Sequence, residues 1–178
     1  MLSRSRLKIN LPPMKLQEIT LASAVITSAL ISGLFFAYTF SVNLGLHKLD
    51  DRGYLMAMQN INREILNPIF YSCFLGAPLL LIASSVMYFD LSSPKFYSIA
   101  VACASYIIGV FIITAAKNVP LNNQLDTLDI TDATSDALHR MRLLIEEPWV
   151  FWNNLRTTFS FITLVCLIIS LIFFKSKD

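Results

Sequence analysis

Four stretches of the chain contain no Lys, Arg, Asp or Glu: Ile19 to His47 (29 residues), Ile65 to Phe89 (25), Phe96 to Ala116 (21) and Thr157 to Phe174 (18). A hydrocarbon core of ~30 Å is crossed by about 20 apolar helical residues, so each stretch is long enough to span a bilayer. Runs such as Leu79-Leu80-Leu81-Ile82-Ala83 do not alternate between apolar and polar, which excludes a transmembrane β-barrel. The pattern predicts an all-α fold, a four-helix transmembrane up-and-down bundle with helices at about 19–46, 67–89, 95–117 and 148–174, forming a single domain over 16–178.

The first stretch reads as a retained helix. The small-residue triplet Ala22-Ser23-Ala24 precedes most of the apolar run, the reverse of a signal peptide's order. Residues 1–15, with Pro12-Pro13, are expected to form a flexible tail, and Met14 offers a second start. Between the first two spans, Asp50 to Leu66 reads as an amphipathic helix with Leu55, Met58, Ile61, Ile65 and Leu66 available for burial, and Pro68 is expected to bend the chain into the membrane. The third loop predicts a helical stretch from Asp136 to Ile145, with Pro148 in the first turn of the last span. Ala29, Gly33, Ala37 and Ser41, at steps of four, predict a ridge against which a neighbouring helix packs closely.

Composition agrees with a membrane location and removes other classes. Of 178 residues 55% are hydrophobic and 15% charged, and mean hydropathy is +0.60, where a soluble domain carries about 25% charge. A net charge of +2 supplies little counterion-release energy, so no nucleic-acid partner is expected. The lipid bilayer is the expected partner, together with a hydrophobic small molecule; a homo-oligomer is compatible with the pattern. Lys and Arg divide evenly between the two sides, but nine acids lie on the loop side against three on the terminal side. This favours both termini in the cytoplasm.

Polar residues concentrate where the first and third spans end and the second and fourth begin. Asn60, Arg63 and Asn67 recur at i, i+3, i+7, and Trp149, Asn153, Arg156 and Ser160 at i, i+4, i+7, i+11, so each set shares one helix face. Singly, each has an ordinary reading as an interface anchor or cap. Together, two arginines on Asn-rich faces point to a lined cavity, because intramembrane cations face a cavity or a partner. His47 and His139 could in principle hold a haem iron, but no ligand spacing supports it, and no metal site or cofactor is predicted. Cys73, Cys103 and Cys166 fall inside apolar runs as small buried residues. The phosphate-loop, zinc-protease and nucleophile-elbow motifs are absent.

Four ordered motifs carry a family resemblance from about Leu21 onward. They are Gly33-Leu34-Phe35-Phe36-Ala37-Tyr38; Met58-Gln59-Asn60-Ile61-Asn62 with Ile65-Leu66-Asn67-Pro68 leading to Phe70; Asn118-Val119-Pro120-Leu121-Asn122 with Leu125; and Trp149 with Trp152-Asn153 and Arg156-Thr157. On these the chain resembles the anthrone oxygenase family of small four-helix membrane proteins, mostly bacterial and fungal. The resemblance implies oxidation of an anthrone-like or quinone-like phenolic molecule by dioxygen as co-substrate, without a resident cofactor, and a plasma (inner) membrane location. For that chemistry Arg63, Asn122, Asn153 and Arg156 are the candidate catalytic residues, supplying positive charge and hydrogen bonds to a developing oxyanion. Phe36, Tyr38, Asn60, Asn67, Phe70, Asn118, Trp149 and Trp152 are the candidate substrate-binding residues, several of them offering a flat apolar wall. Glu64, His47 and His139 are open candidates for a base. The competing reading is a non-catalytic lipid- or quinone-binding module or partner subunit; a transporter is disfavoured by the absence of paired inverted halves.

Overall fold

The computed structural model describes residues 14–173, so most of the expected N-terminal tail and the last residue of the expected fourth span lie outside the described residues. Among the described residues there are five helices and no strand: α1 (Leu16–Leu46), α2 (Asp51–Glu64), α3 (Pro68–Met87), α4 (Pro94–Asp126) and α5 (Ser135–Ile172). All except α2 are long and apolar enough to cross a membrane, and the chain is a multi-pass integral membrane bundle. α1 packs against α3 and α5, and α4 packs against the same two, so the four spans close a ring in which sequence neighbours are antiparallel.

Local chemistry sets most helix starts. Glu18 accepts from the Lys15 backbone N–H at 2.9 Å, Asp50 from Gly53 N–H at 2.9 Å, Asn67 from Phe70 N–H at 3.0 Å and Thr134 from Ala137 N–H at 3.3 Å. Each satisfies an N–H that the first turn leaves open. Pro68 and Pro94 occupy the first helical positions, where a missing N–H costs nothing.

Two helices run further than the sequence predicts. α4 continues past Lys117 to Asp126, through wide π-helical turns at Ile107–Ile112 and Thr114–Asn118. A π turn adds a residue and shifts the backbone bonding pattern, which lets the helix pass through Pro120 and bury Leu125. α5 starts at Ser135 and passes through Pro148, merging the expected short helix with the last span. Burial of Leu138 and Ile145 against Tyr54, Leu55 and Met58 of α2 holds this extension in place and offsets the cost of an internal proline, about 3 kcal/mol. At 38 residues, α5 is about 57 Å long.

The interior has two parts. One lies between the spans and contains Leu21, Ile31, Phe35, Phe74, Leu81, Ile99, Tyr106, Val110 and Leu167. Hydrogen bonds cross between its helices, from Tyr106 Oη to the Phe74 carbonyl at 3.1 Å, Ser98 Oγ to that of Cys166 at 2.7 Å and Ser105 Oγ to that of Phe159 at 3.0 Å. The other part is a cap at the polar end, where α2 covers the ends of α4 and α5 with Tyr54, Leu55 and Met58 against Leu125, Ile130 and Trp149. Arg52 locks the α4–α5 connection by donating to the carbonyls of Ile130, Thr131 and Ala133.

Beyond the half-buried Ala29, the expected small-residue ridge of α1 does not pack against another helix of this chain. Gly33, Ala37 and Ser41 are exposed, because Leu21, Ala24, Ser28, Ile31, Ser32 and Phe35 form the face that turns inward. The close approach lies elsewhere: a Cβ on Gly109 of α4 would stand 2.0 Å from Phe159 Cγ of α5.

Candidate functional site

Three π-helical turns surround the polar end of the bundle, two in α4 and one at Tyr38–Val42 in α1. The turn at Ile107–Ile112 rotates the residues that follow it and carries Thr114 and Asn118 toward α5, while Tyr38 opens the turn in α1. They meet Trp149, Asn153 and Arg156 on the inward face of α5. Together with Phe35, Asn62, Ile65, Leu66, Phe70, Val119 and Asn122 they line a cavity of about 80 Å³.

Arg156 dominates its electrostatics. The residue is 5% exposed, and its guanidinium donates to Asn153 Oδ1 at 3.0 Å and to Thr114 Oγ1 at 3.3 Å. It stacks over Phe35 at 4.4 Å and Trp149 at 5.3 Å. Among the described residues it has no carboxylate partner, whereas Arg63 pairs with Asp126 and Arg142 with Asp51 and Glu146.

The neighbours of Arg156 are fixed by hydrogen bonds. Asn153, fully buried, donates to Thr39 Oγ1 at 3.0 Å; Thr157 Oγ1 donates to the Phe35 carbonyl at 3.1 Å. The Trp149 indole N–H donates to Asn122 Oδ1 at 2.8 Å, and Asn118 Nδ2 to the Trp149 carbonyl at 3.3 Å. Seven buried side-chain polar atoms among the described residues lack a hydrogen-bond partner, and three of them, Arg156 Nε, Asn62 Nδ2 and Asn118 Oδ1, belong to residues lining this cavity. A buried donor or acceptor left unpaired costs about 1–3 kcal/mol, and the lining carries two donors and one acceptor whose bonding within the chain is incomplete. The apolar wall is Phe35, Tyr38, Trp149 and Phe70; Tyr38 and Trp149 lie 5.5 Å apart, and Phe70 stacks on Phe74 at 5.2 Å.

Seven residues singled out from sequence are brought together here: Tyr38, Phe70, Asn118, Asn122, Trp149, Asn153 and Arg156. Five are placed elsewhere. Arg63 donates to Asp126 at 2.7 Å with both side chains more than half exposed, and it lines a separate surface depression with Asn60. The polar stripe of α2 faces water because the opposite face, Tyr54, Leu55, Met58 and Gln59, is buried. Asn67 caps α3. Phe36 is 54% exposed beside Phe40, one residue from the inward Phe35. Trp152 lies outside the cavity, with the Lys117 ammonium 5.1 Å above its ring. Asn62, Phe35 and Thr114 were not singled out as site residues. Asn62 follows Leu55, Met58 and Gln59 at i+7, i+4 and i+3, a spacing that marks the buried face.

None of the three candidate bases lines this cavity. Glu64 is exposed. His47 and His139 border a groove of about 730 Å³ on the other side of the Thr39 and Asn154 wall. There a chain of charge runs from His47 to Glu146 (2.7 Å), to Arg142 (2.6 Å), to Asp51 (3.1 Å) and to His139 (3.0 Å). The hydrogen bond from His139, reinforced by Arg142, holds the Asp51 carboxyl below its usual range.

In comparison with known proteins, residues 70–166, more than half of the chain, match the family model described as Anthrone oxygenase. That interval holds Phe70, Asn118, Asn122, Trp149, Asn153 and Arg156 of the cavity. No curated protein and no solved structure matches the chain.

Proposed function

Taking as premise that the chain belongs to the anthrone oxygenase family, we propose that it is a membrane-embedded oxygenase for a hydrophobic phenolic, anthrone-like or quinone-like molecule, acting at the Arg156 cavity. The observation that carries this reading is a buried guanidinium with an unpartnered Nε beside an aromatic wall, at a cavity bordered by exposed apolar side chains. An anthrone is a weak carbon acid. Loss of its benzylic proton gives an enolate whose charge sits on oxygen, and hydrogen-bond donors fixed in a water-poor site stabilise that charge without reorganising. Arg156 and Asn62, each with an unpaired donor, supply them, and Asn153 holds the guanidinium in place. The enolate passes an electron to dioxygen, the carbon radical and superoxide combine into a peroxide anion that takes up a proton, and the hydroperoxide so formed loses water to leave the new carbonyl. One oxygen atom enters the product and the other leaves in water, so no further reductant is required.

The closed cavity holds the oxygen-bearing edge of a ring system but not three fused rings. Leu66 and Val119, 60% and 40% exposed, form its outer lip. In this reading the ring enters sideways from the bilayer by displacing them, and the proton leaves through the same opening. Both termini lie in the cytoplasm and the membrane is the plasma membrane.

The absence of a carboxylate or imidazole among the lining residues favours a second reading, a binding module without turnover. One experiment separates the two. Purified protein in liposomes is given an anthrone, and oxygen consumption is recorded alongside quinone absorbance. Protein-dependent uptake with one quinone formed per dioxygen supports the oxygenase. Saturable binding without uptake leaves the binding module, and neither signal defeats both readings.

A further inference from the structure

Arginine removed from water loses several kcal/mol of hydration even after relaxation, and cation–π contacts return about 0.5–2 kcal/mol. Arg156 has two such contacts and two neutral hydrogen-bond acceptors, but its Nε donates to nothing and no described carboxylate neutralises it. Asn62 Nδ2, a second unpaired donor, and Asn118 Oδ1, an unpaired acceptor on a residue only 1% exposed, belong to the same cavity. Two donors beside an uncompensated positive charge define an anion site. The acceptor suits the hydration water of that anion, which donates to it.

We propose that the Arg156 cavity binds a small monovalent inorganic anion of halide size, drawn by the uncompensated Arg156 guanidinium and the Asn62 amide. Volume sets the class. About 80 Å³ accommodates one such ion with a water, at roughly 30 Å³ per water, and is too small for a lipid phosphodiester. The site requires no organic substrate and no turnover. A phenolic oxyanion entering the cavity displaces the halide, so inorganic anions compete with it.

The chain has two tryptophans, Trp149 and Trp152. In a Trp152→Phe background, Trp149 is the sole indole, 5% exposed and 5.3 Å from the guanidinium. Detergent-purified protein is titrated with iodide replacing gluconate at constant ionic strength, and Trp149 fluorescence is read. The expected result is saturable quenching, reversed by chloride. In Asn62→Leu, which removes one donor to a charged ligand, half-saturation moves up by about tenfold or more. Asn153→Asp places a carboxylate where Asn153 Oδ1 now meets Arg156 at 3.0 Å. It supplies an internal counter-charge and abolishes the saturable phase, with helicity by circular dichroism retained. Linear quenching of equal slope in all three proteins, or a saturable phase that survives Asn153→Asp unchanged, overturns the proposal. Saturable halide binding without oxygen uptake leaves it standing and removes the oxygenase reading; uptake with only linear quenching does the reverse.

Discussion

Replacing Arg156 with methionine separates the proposed catalytic role from anchoring, because the two roles predict different effects on stability and activity. The substitution removes hydrogen bonds at 3.0 and 3.3 Å and two ring contacts. Hydrogen bonds to a charged group contribute about 1.5–3 kcal/mol each and a cation–π contact about 0.5–2 kcal/mol. Against that loss stands the several kcal/mol of hydration that the buried, unpaired guanidinium no longer forfeits. The two nearly cancel, so the unfolding temperature in detergent is expected to stay within a few degrees of the parent or to rise. Turnover behaves differently. Loss of one oxyanion donor costs about 2.7–4 kcal/mol of transition-state stabilisation, or about 10²–10³ in rate. Thermal unfolding and anthrone-dependent oxygen uptake, measured on one preparation, test both halves. A variant with a sharply lowered unfolding temperature and unchanged kcat/KM would make Arg156 an interface anchor and refute the argument.

Other substitutions probe the frame around the site. Gly109→Ala pushes a methyl to within 2.0 Å of the root of the Phe159 ring; overpacking costs about 1–3 kcal/mol, and a lower unfolding temperature and reduced monodisperse yield are expected, whereas Gly33→Ala, with nothing within 4 Å, has neither effect. Arg52→Ala frees three carbonyls of the α4–α5 connection, and faster proteolysis between Asp126 and Ser135 is expected. Asp51→Asn lowers stability at neutral pH by weakening the tie to His139 and Arg142. Because the folded pKa of Asp51 is depressed, its contribution is present above the unfolded value near 4 and vanishes as pH falls through the folded value, so the melting curves of variant and parent should converge in acid. Leu66→Phe narrows the lip of the cavity, and kcat/KM for a three-ring substrate should fall while iodide quenching of Trp149 in the Trp152→Phe background is retained.

Membrane spans were legible because charge is so costly in lipid that its absence marks them, and the ring of four helices follows from their order. Their ends were harder to read. Proline usually closes a helix, yet α4 and α5 run through Pro120 and Pro148 because buried contacts at Leu125 and Ile145 outweigh the local penalty. The site was half legible for a related reason. Polar spacing reveals a shared face but not the direction it points: Asn60 and Arg63 lie on the face of α2 that does not enter the cavity, and Asn67 lies beyond the end of α2 as the cap of α3. The inward positions Phe35, Asn62 and Thr114 follow the apolar spacing instead, Phe35 four after Ile31 and Thr114 four after Val110. A helix turns about 100° per residue, so one position separates Phe35 from Phe36 and Asn62 from Arg63.

The arrangement of the cavity also constrains how the protein is made. Tyr38, Asn62, Phe70, Thr114 and Asn118 precede α5 in the chain, but Trp149, Asn153 and Arg156 all belong to it. During synthesis α5 is the last of these helices to leave the ribosome. Until it docks, Thr39 and the Phe35 carbonyl lack the partners that Asn153 and Thr157 later provide. Arg156 lies just before the last apolar run, close enough to the helix's polar end that inserting it costs less than at the bilayer centre. A nascent chain arrested before Pro148 therefore inserts as three spans with its polar face open and the cavity unformed.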